Sequence, residues 1–449
     1  MTNKTSRREF LRTSSTLSAL GVAGPLGLQL SAATAATAAN ATGYKALVVV
    51  NFSGGNDHLS TVVPYDTASH DRYRQVRASL ALPRDALLPL PTALPQAGRA
   101  AGLNPALAAV KAAYDARRLA VAAGVGPLLA PSSKADLLAG RVLPPAQLGS
   151  HNDQQATWFT LSTSAATGWG GRMGDLLAAG NGTAAGVTTI SAAGYAQWLV
   201  GSRSSFFSVS EGGVPNSFFS GWSTMERGLL MGGSARRTNL IEQAYVETHE
   251  SLRDNGSLLS SGVLPESTFP GTPAQNNAAA QLRTVARVIG GAASLGLRRQ
   301  LFFVELGGFD THNGQAERHA ALMRQFDEAL GWFDAAMGQL GMRDQVLLAT
   351  MSDFGRSYPF NGDGTDHGWA SHHMLLGGGV QGGEVYGSLP DMALQGPDFL
   401  DSGFMIPRVS IEQYGGALAR WMGLSATEVR EVFPLVGRFD AIALGLGSG

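Results

Sequence analysis

The chain contains no cysteine, which excludes disulfide bonds, thiolate nucleophiles and cysteine-bound zinc. Charged residues make up only 15% of its 449 residues, and the formal net charge is -1. That balance gives no electrostatic reason to expect nucleic acid as a partner. Any metal site must therefore be built from histidine, carboxylate, amide or hydroxyl side chains.

A long apolar run is also absent, and the N-terminus is typical of an export signal. Arg7 and Arg8 lie in SRREFL, a twin-arginine motif, and the stretch TLSALGVAGPLGLQL after it is too short and too weakly apolar to anchor a protein in a bilayer. Small residues then predict cleavage after Ala35 or Ala38. The alternative is a disordered basic N-terminus. We predict a signal peptide over residues 1–38, with a mature protein that is periplasmic or secreted and has no integral membrane segment.

Buried strands and helical patterns alternate along the remaining chain. Runs of β-branched and apolar residues predict strands at 44–55, 119–127, 186–191, 299–308 and 344–355. Amphipathic patterns predict helices between them, including two at about 236–255 and 273–298, while residues 200–235 are an irregular insertion rich in Ser, Gly and Phe. This alternation predicts an α/β fold with a mostly parallel sheet and helices on both faces, in which ligands bind at the carboxyl ends of the strands.

Four polar clusters carry most of the chemistry-bearing residues, and three of them come directly after predicted strands. Histidine with carboxylate suits Zn²⁺, whereas carboxylate-rich sets suit Mg²⁺, Mn²⁺ or Ca²⁺. The clusters are Asn56, Asp57, His58 and Ser60; Ser150, His151 and Asp153; Asp310 and His312; and Asp353, Arg356, Asp363, Asp366, His367, His372 and His373.

Each cluster also has a purely structural interpretation. Asp57 could close a turn by bonding its own backbone, and Ser150 could serve only as a helix N-cap. Asp310 and His312 could form a capped turn before the long helix that follows. The segment DGTDHG could be a turn without a metal. If His372 and His373 lie on a strand, alternation of side chains predicts that one of the two faces the core.

Several motifs together resemble a known family. NFSGGNDHLSTVVPY, GSHNDQQ, GGFDTHNGQ and SDFGRSYPFNGDGTDHGW occur in an order similar to that of an uncharacterised, twin-arginine-exported bacterial family, domain of unknown function 1501. That family is placed in the alkaline phosphatase and sulfatase superfamily. The resemblance covers residues 44–435 and implies a single doubly wound α/β domain with an insertion around 200–298.

The resemblance also implies a set of site residues and an activity. It implies metal ligands on the loops after the strands, carried over to Asp57, Asp310, His312, Asp353 and His367. Ser150 is the candidate nucleophile, and Arg356 could clamp an anion in bidentate fashion. The implied protein is an exported hydrolase of small phosphate or sulfate esters that depends on one or more divalent metal ions, with Zn, Mg, Mn and Ca all open.

The chain departs from the superfamily pattern at two informative positions. Phe354 follows Asp353 where the two-metal enzymes have histidine, so His151, His372 or His373 could supply the missing ligand. Ser150 lies in GSHND, which lacks the sulfatase signature. One metal, two metals or none therefore remain open, as does the oligomeric state. The alternative function is a non-catalytic binding or assembly protein that keeps the fold.

Overall fold

A computed structural model of the chain describes residues 43–210 and 239–447. The predicted signal peptide, residues 1–38, lies outside the described residues, and so does most of the irregular insertion at 200–235. The predicted twin-arginine export therefore stays a prediction. The polar clusters identified above all lie within the described ranges.

A nine-stranded sheet forms the centre of the described part of the chain, in the order β13-β5-β12-β9-β1-β8-β6-β7, with β14 beside β5. A two-stranded and a three-stranded sheet accompany it. The strands are β1 (Lys45–Ser53), β2 (Val62–Pro64), β3 (Leu88–Leu90), β4 (Ala101–Leu103), β5 (Leu119–Gly126), β6 (Thr189–Ser191), β7 (Phe207–Ser208), β8 (Arg299–Gly307), β9 (Val346–Ser352), β10 (Arg356–Phe360), β11 (Thr365–His367), β12 (Ser371–Gly377), β13 (Val385–Gly387) and β14 (Val409–Ser410).

The central sheet is parallel except at one strand. β1 pairs in parallel with β8 on one side and β9 on the other, and β13 and β14 pair in parallel with β5. β12 alone runs antiparallel to its neighbours β9 and β5. The prediction of a mostly parallel sheet is confirmed. Because β12 lies between two strands and is covered on both faces, His372 and His373 are both buried, which differs from the expectation for one of them.

Helices cover both faces of this sheet, as predicted. Val285 and Phe326 pack on one face and Trp158 and Leu418 on the other, each in a separate apolar cluster. No helix of the described residues is long and apolar enough to cross a bilayer. The helices are α1 (His58–Thr61), α2 (Thr67–Arg77), α3 (Ala108–Asp115), α4 (Lys134–Leu138), α5 (His151–Thr160), α6 (Trp169–Leu177), α7 (Leu240–Gly262), α8 (Asn277–Gly290), α9 (Gln315–Leu340), α10 (Ile411–Trp421) and α11 (Ala426–Val432).

The three central strands end at one edge of the sheet, and this edge positions the polar clusters. β1, β8 and β9 are in parallel register, so Ser53 pairs with Gly307 and Phe52 pairs with Ser352. Their apolar, β-branched sequences suit strands that are buried on both faces. The loops that follow therefore leave the sheet side by side and bring the first, third and fourth clusters together.

Candidate metal centre

Four side chains converge at this edge from different elements. Asp310 and His312 lie on the loop between β8 and α9, and His367 ends β11, the second strand of a short antiparallel hairpin. His151 is the first residue of α5, whose N-cap is Ser150. A ligand atom from each of His151, Asp310 and His367 lies within 4.8 Å of the other two.

The distances among the four side chains centre on one carboxylate oxygen. Asp310 Oδ1 lies 3.1 Å from His312 Nε2, 3.2 Å from His367 Nε2 and 3.5 Å from His151 Nε2. His312 Nε2 and His367 Nε2 are 2.8 Å apart. Four ligands placed tetrahedrally at zinc bond lengths would be about 3.3 Å from one another. The observed separations are of that size.

The opposite nitrogen of each imidazole faces an oxygen acceptor of the protein. An acceptor at Nδ1 keeps the proton on that nitrogen and leaves the Nε2 lone pair free, as in histidines that bind metals. The Nδ1 contacts are Asp353 Oδ2 for His151 at 3.2 Å, Asp366 Oδ1 for His312 at 3.2 Å and the Gly149 carbonyl for His367 at 2.5 Å.

Two further observations show that these residues fit a divalent cation. His151 Nε2 is buried and has no hydrogen-bond partner among the described residues. The lone pairs of His312 and His367 face each other across 2.8 Å, an arrangement that is repulsive unless a cation lies between or beside them. Three imidazoles and one carboxylate form a ligand set that zinc prefers over magnesium or calcium.

The local electrostatics favour the ionisation states that a metal ion needs. Burial raises the pKa of Asp310, but hydrogen bonding to Arg356 and its positive charge outweigh this effect and lower the pKa to about 2. Burial also lowers the pKa of His367, which favours its neutral form. The hydrogen bond to Asp353 raises the pKa of His151 and so makes this imidazole a stronger donor.

Phe354 forms the buried wall of the site. Its ring is fully buried and lies 4.8 Å from the ring of His151 and 4.7 Å from that of His367, measured between centroids. Gly55 supports it from below, because a Cβ at that position would lie 2.2 Å from the Phe354 ring. Phe354 thus supplies no ligand but packs against two of the imidazoles.

Substitution of Gly55 by alanine is expected to disturb this wall. The new methyl group would overlap the Phe354 ring, and the backbone has a positive φ of 85°, so we expect a loss of about 2–4 kcal/mol in the free energy of unfolding. Gly98→Ala is the matched control, since Gly98 has a φ of 79° with nothing within 4 Å of an added Cβ. Denaturant titration compares the two; equal losses would show that Phe354 is not displaced.

Asp57 does not join the cluster, in contrast to its predicted role as a ligand. Its carboxylate is fully buried and accepts hydrogen bonds from Arg77 Nη1 at 2.5 Å and Nη2 at 2.8 Å, and from Gln315 Nε2 at 2.5 Å. The guanidinium already neutralises its charge. His151 takes the fourth position instead, as one of the replacements that the sequence left open.

The two predicted catalytic residues are engaged within the protein. The Ser150 hydroxyl caps α5 and donates to Asp153 Oδ2 at 2.7 Å. Arg356 is fully buried, and its guanidinium donates to Asp310, Thr365 and the Gly54 carbonyl. The structure therefore does not place Arg356 to clamp an anion from solution, and it shows Ser150 in the capping role that was its alternative.

Asp353 lies one shell further out than predicted. It is buried and accepts from Gly54 N at 2.9 Å, Gln155 Nε2 at 3.1 Å and His151 Nδ1 at 3.2 Å. Its carboxylate thus orients a ligand rather than contacting the centre of the cluster. Sequence inspection had the signal for this role, because His151 and Asp353 belong to clusters expected at the same sheet edge.

Replacing Asp353 with asparagine is expected to weaken zinc binding by about 10–100-fold, because the charge that orients and polarises His151 is lost. Competition with a chromophoric chelator measures the dissociation constant. Asp153→Asn is the control: Asp153 is on the same helix and bonds Ser150 rather than any of the four converging residues. Equal affinities of wild type and Asp353→Asn would contradict this role.

Comparison with known proteins finds one family model and several solved structures. Residues 234–433 match the model of a family described as "Protein of unknown function (DUF1501)". The predicted family domain is thus confirmed for this part of the chain. The match includes Asp310, His312, Asp353 and His367 but not His151. No curated protein matches the chain in sequence.

The similar solved structures have low sequence identity and low TM-scores. They include the lipoteichoic acid synthase LtaP from Listeria monocytogenes, with 7% identity over 85% of this chain and 72% of that chain and a TM-score of 0.34. PsFucS1 sulfatase from Pseudoalteromonas sp. shows 10% identity over 92% and 75%, also with a TM-score of 0.34. The strand order described above, rather than these likenesses, identifies the fold.

Proposed function

We propose that the chain is an exported hydrolase of phosphate or sulfate esters that depends on a single divalent metal ion, with zinc as the preferred ion. One observation carries the metal: three imidazole Nε2 atoms surround Asp310 Oδ1 while their Nδ1 atoms face protein acceptors. The sequence resemblance and the predicted signal peptide support the ester chemistry and the periplasmic or secreted location.

The residues of the chain have distinct parts in this proposal. His151, His312, His367 and Asp310 would hold the ion, and when bound it would supply Lewis acidity that polarises a phosphoryl or sulfuryl oxygen and acidifies a water molecule. Asp310 and His312 are 46% and 41% exposed, so substrate would approach from their side. Phe354 excludes water from the opposite side of the two imidazoles it contacts.

Other carboxylates at the same sheet edge are already neutralised, which supports one ion rather than two. Asp57 is paired with Arg77, and Asp353 accepts from His151, Gln155 and a backbone amide. Neither therefore has a free charge for a second cation. The small anionic ester would meet a single centre.

The test is a screen of phosphate monoesters, phosphate diesters and sulfate esters with zinc-loaded protein, repeated with manganese, magnesium and calcium. The proposal expects turnover of at least one ester class and its loss in His367→Ala, which removes a ligand that lies 3.2 Å from Asp310 Oδ1. Asp175→Asn serves as the control, because Asp175 binds the backbone of the loop at 202–204.

A second candidate is a metal-binding protein without turnover, acting in binding or assembly. The observation that favours it is that Ser150 and Arg356, the two predicted catalytic side chains, are both engaged in bonds within the protein. Bound zinc together with silence toward every ester class would support this candidate and contradict the hydrolase.

A further inference from the structure

A fully buried ion pair lies behind the metal centre and takes no direct part in it. Arg77, the last residue of α2, makes a two-pronged contact with Asp57, and both side chains are fully buried. Arg77 also donates to the Ser357 carbonyl at 3.3 Å. Its position fixes the Asp57 carboxylate close to the start of α9.

Two neutral side chains connect this pair to Arg356. Gln315 Nε2 donates to Asp57 Oδ2 at 2.5 Å, which directs the Gln315 carbonyl oxygen toward Thr365. Thr365 Oγ1 donates its one proton to that oxygen at 2.7 Å. The hydroxyl oxygen of Thr365 can then only accept from Arg356 Nε, which is 3.1 Å away.

Arg356 passes the constraint to the metal centre. Its Nη1 donates to Asp310 Oδ1 at 2.8 Å, the same oxygen that the three imidazoles surround. Arg356, Thr365 and Gln315 are all buried, so the direction of each hydrogen bond is fixed by the next. Asp310, in contrast, is half exposed on a loop and has no other cationic partner among the described residues than Arg356 and the histidines.

We infer that Gln315 is a positioning residue of the metal centre, which through Thr365 and Arg356 orients the Asp310 carboxylate toward the three imidazoles. This inference rests on the proposed metal site. Gln315 is 1% exposed and its side chain makes both of its hydrogen bonds inside this network. Removing its amide would free the Thr365 hydroxyl to rotate and would leave Arg356 without a fixed acceptor at Nε.

The test uses the full chain and compares Gln315→Leu and Thr365→Val with wild type. Zinc dissociation constants are measured by chelator competition, and the visible spectrum of Co²⁺-loaded protein reports the ligand geometry. Gln96→Leu is the matched control, because Gln96 is also buried and also donates and accepts one hydrogen bond each, with the Val385 carbonyl and the Leu389 amide.

We expect zinc affinity to fall by about tenfold in Gln315→Leu and by several-fold in Thr365→Val, each with an altered Co²⁺ spectrum. Gln96→Leu should lose stability but keep the affinity and the spectrum of wild type. Thr365→Val decides the matter if Gln315→Leu does not fold. Wild-type affinity and spectrum in the variants, or an equal loss in the control, would overturn the inference. Absence of zinc binding in wild type would instead overturn the proposed function on which it rests.

Discussion

Replacing Asp310 with asparagine is expected to weaken zinc binding by more than about 100-fold, which is beyond the effect typical of outer-shell changes. The carboxylate supplies the one negative charge among the four converging side chains, and its Oδ1 lies within 3.5 Å of all three Nε2 atoms. Asparagine keeps the size and removes the charge. Isothermal titration or chelator competition with zinc measures the change.

Asp366→Asn separates coordination from charge in this experiment. Asp366 is 65% exposed and its Oδ1 faces the Nδ1 of His312, so asparagine removes a nearby charge but keeps an oxygen acceptor. We expect its affinity to stay within a few-fold of wild type. If Asp310→Asn and Asp366→Asn weakened zinc binding equally, the effect would be one of overall charge and Asp310 would not be a ligand.

Replacing Arg77 with methionine is expected to lower the free energy of unfolding by about 3–5 kcal/mol, because it leaves a buried carboxylate without its cation. Arg77 and Asp57 are both fully buried, and Gln315 would be the principal remaining donor to the carboxylate. Denaturant titration at pH 7 measures the loss. Arg74→Met is the control on the same helix: Arg74 is 68% exposed and 4.0 Å from Asp71, so its loss should be below about 1 kcal/mol.

The same variant should show a characteristic pH dependence. In wild type, burial raises the pKa of Asp57, but the charge and hydrogen bonds of Arg77 outweigh it and hold the pKa below its ordinary value. Without Arg77, burial is unopposed and the pKa of Asp57 rises above that of the unfolded chain. The destabilisation then grows as pH rises above about 4, where the unfolded carboxyl ionises. Stability measured at pH 4 and pH 7 checks this: a loss that is the same at both values, or smaller at pH 7, would contradict the account.

The strands and the sheet edge could be predicted from the sequence because they depend on local patterns. Runs such as KALVVVNFS and RQLFFVELG have the apolar, β-branched character of strands buried on both faces. Parallel pairing then places their carboxyl ends together, which is why Asp310, His312 and His367 were correctly expected to lie at one edge.

The roles of the individual carboxylates could not be predicted, because they depend on partners brought in by tertiary packing. Arg77 is one of several arginines in TASHDRYRQVR, and nothing in that helix marks it as the residue that packs inward onto Asp57. Arg356 looked available for an anion because a sequence does not show burial. His151 and Asp353 were both recognised, yet which of them faces the metal depends on how α5 lies against the end of β9.

The most direct test of the metal centre is the ratio of bound zinc to protein after the full chain is dialysed against zinc and then against metal-free buffer. The arrangement of His151, His312, His367 and Asp310 predicts about one ion per chain, and its loss when His151 is replaced by alanine. A chain that retains no metal, or one whose His151→Ala variant retains as much as wild type, would contradict the account.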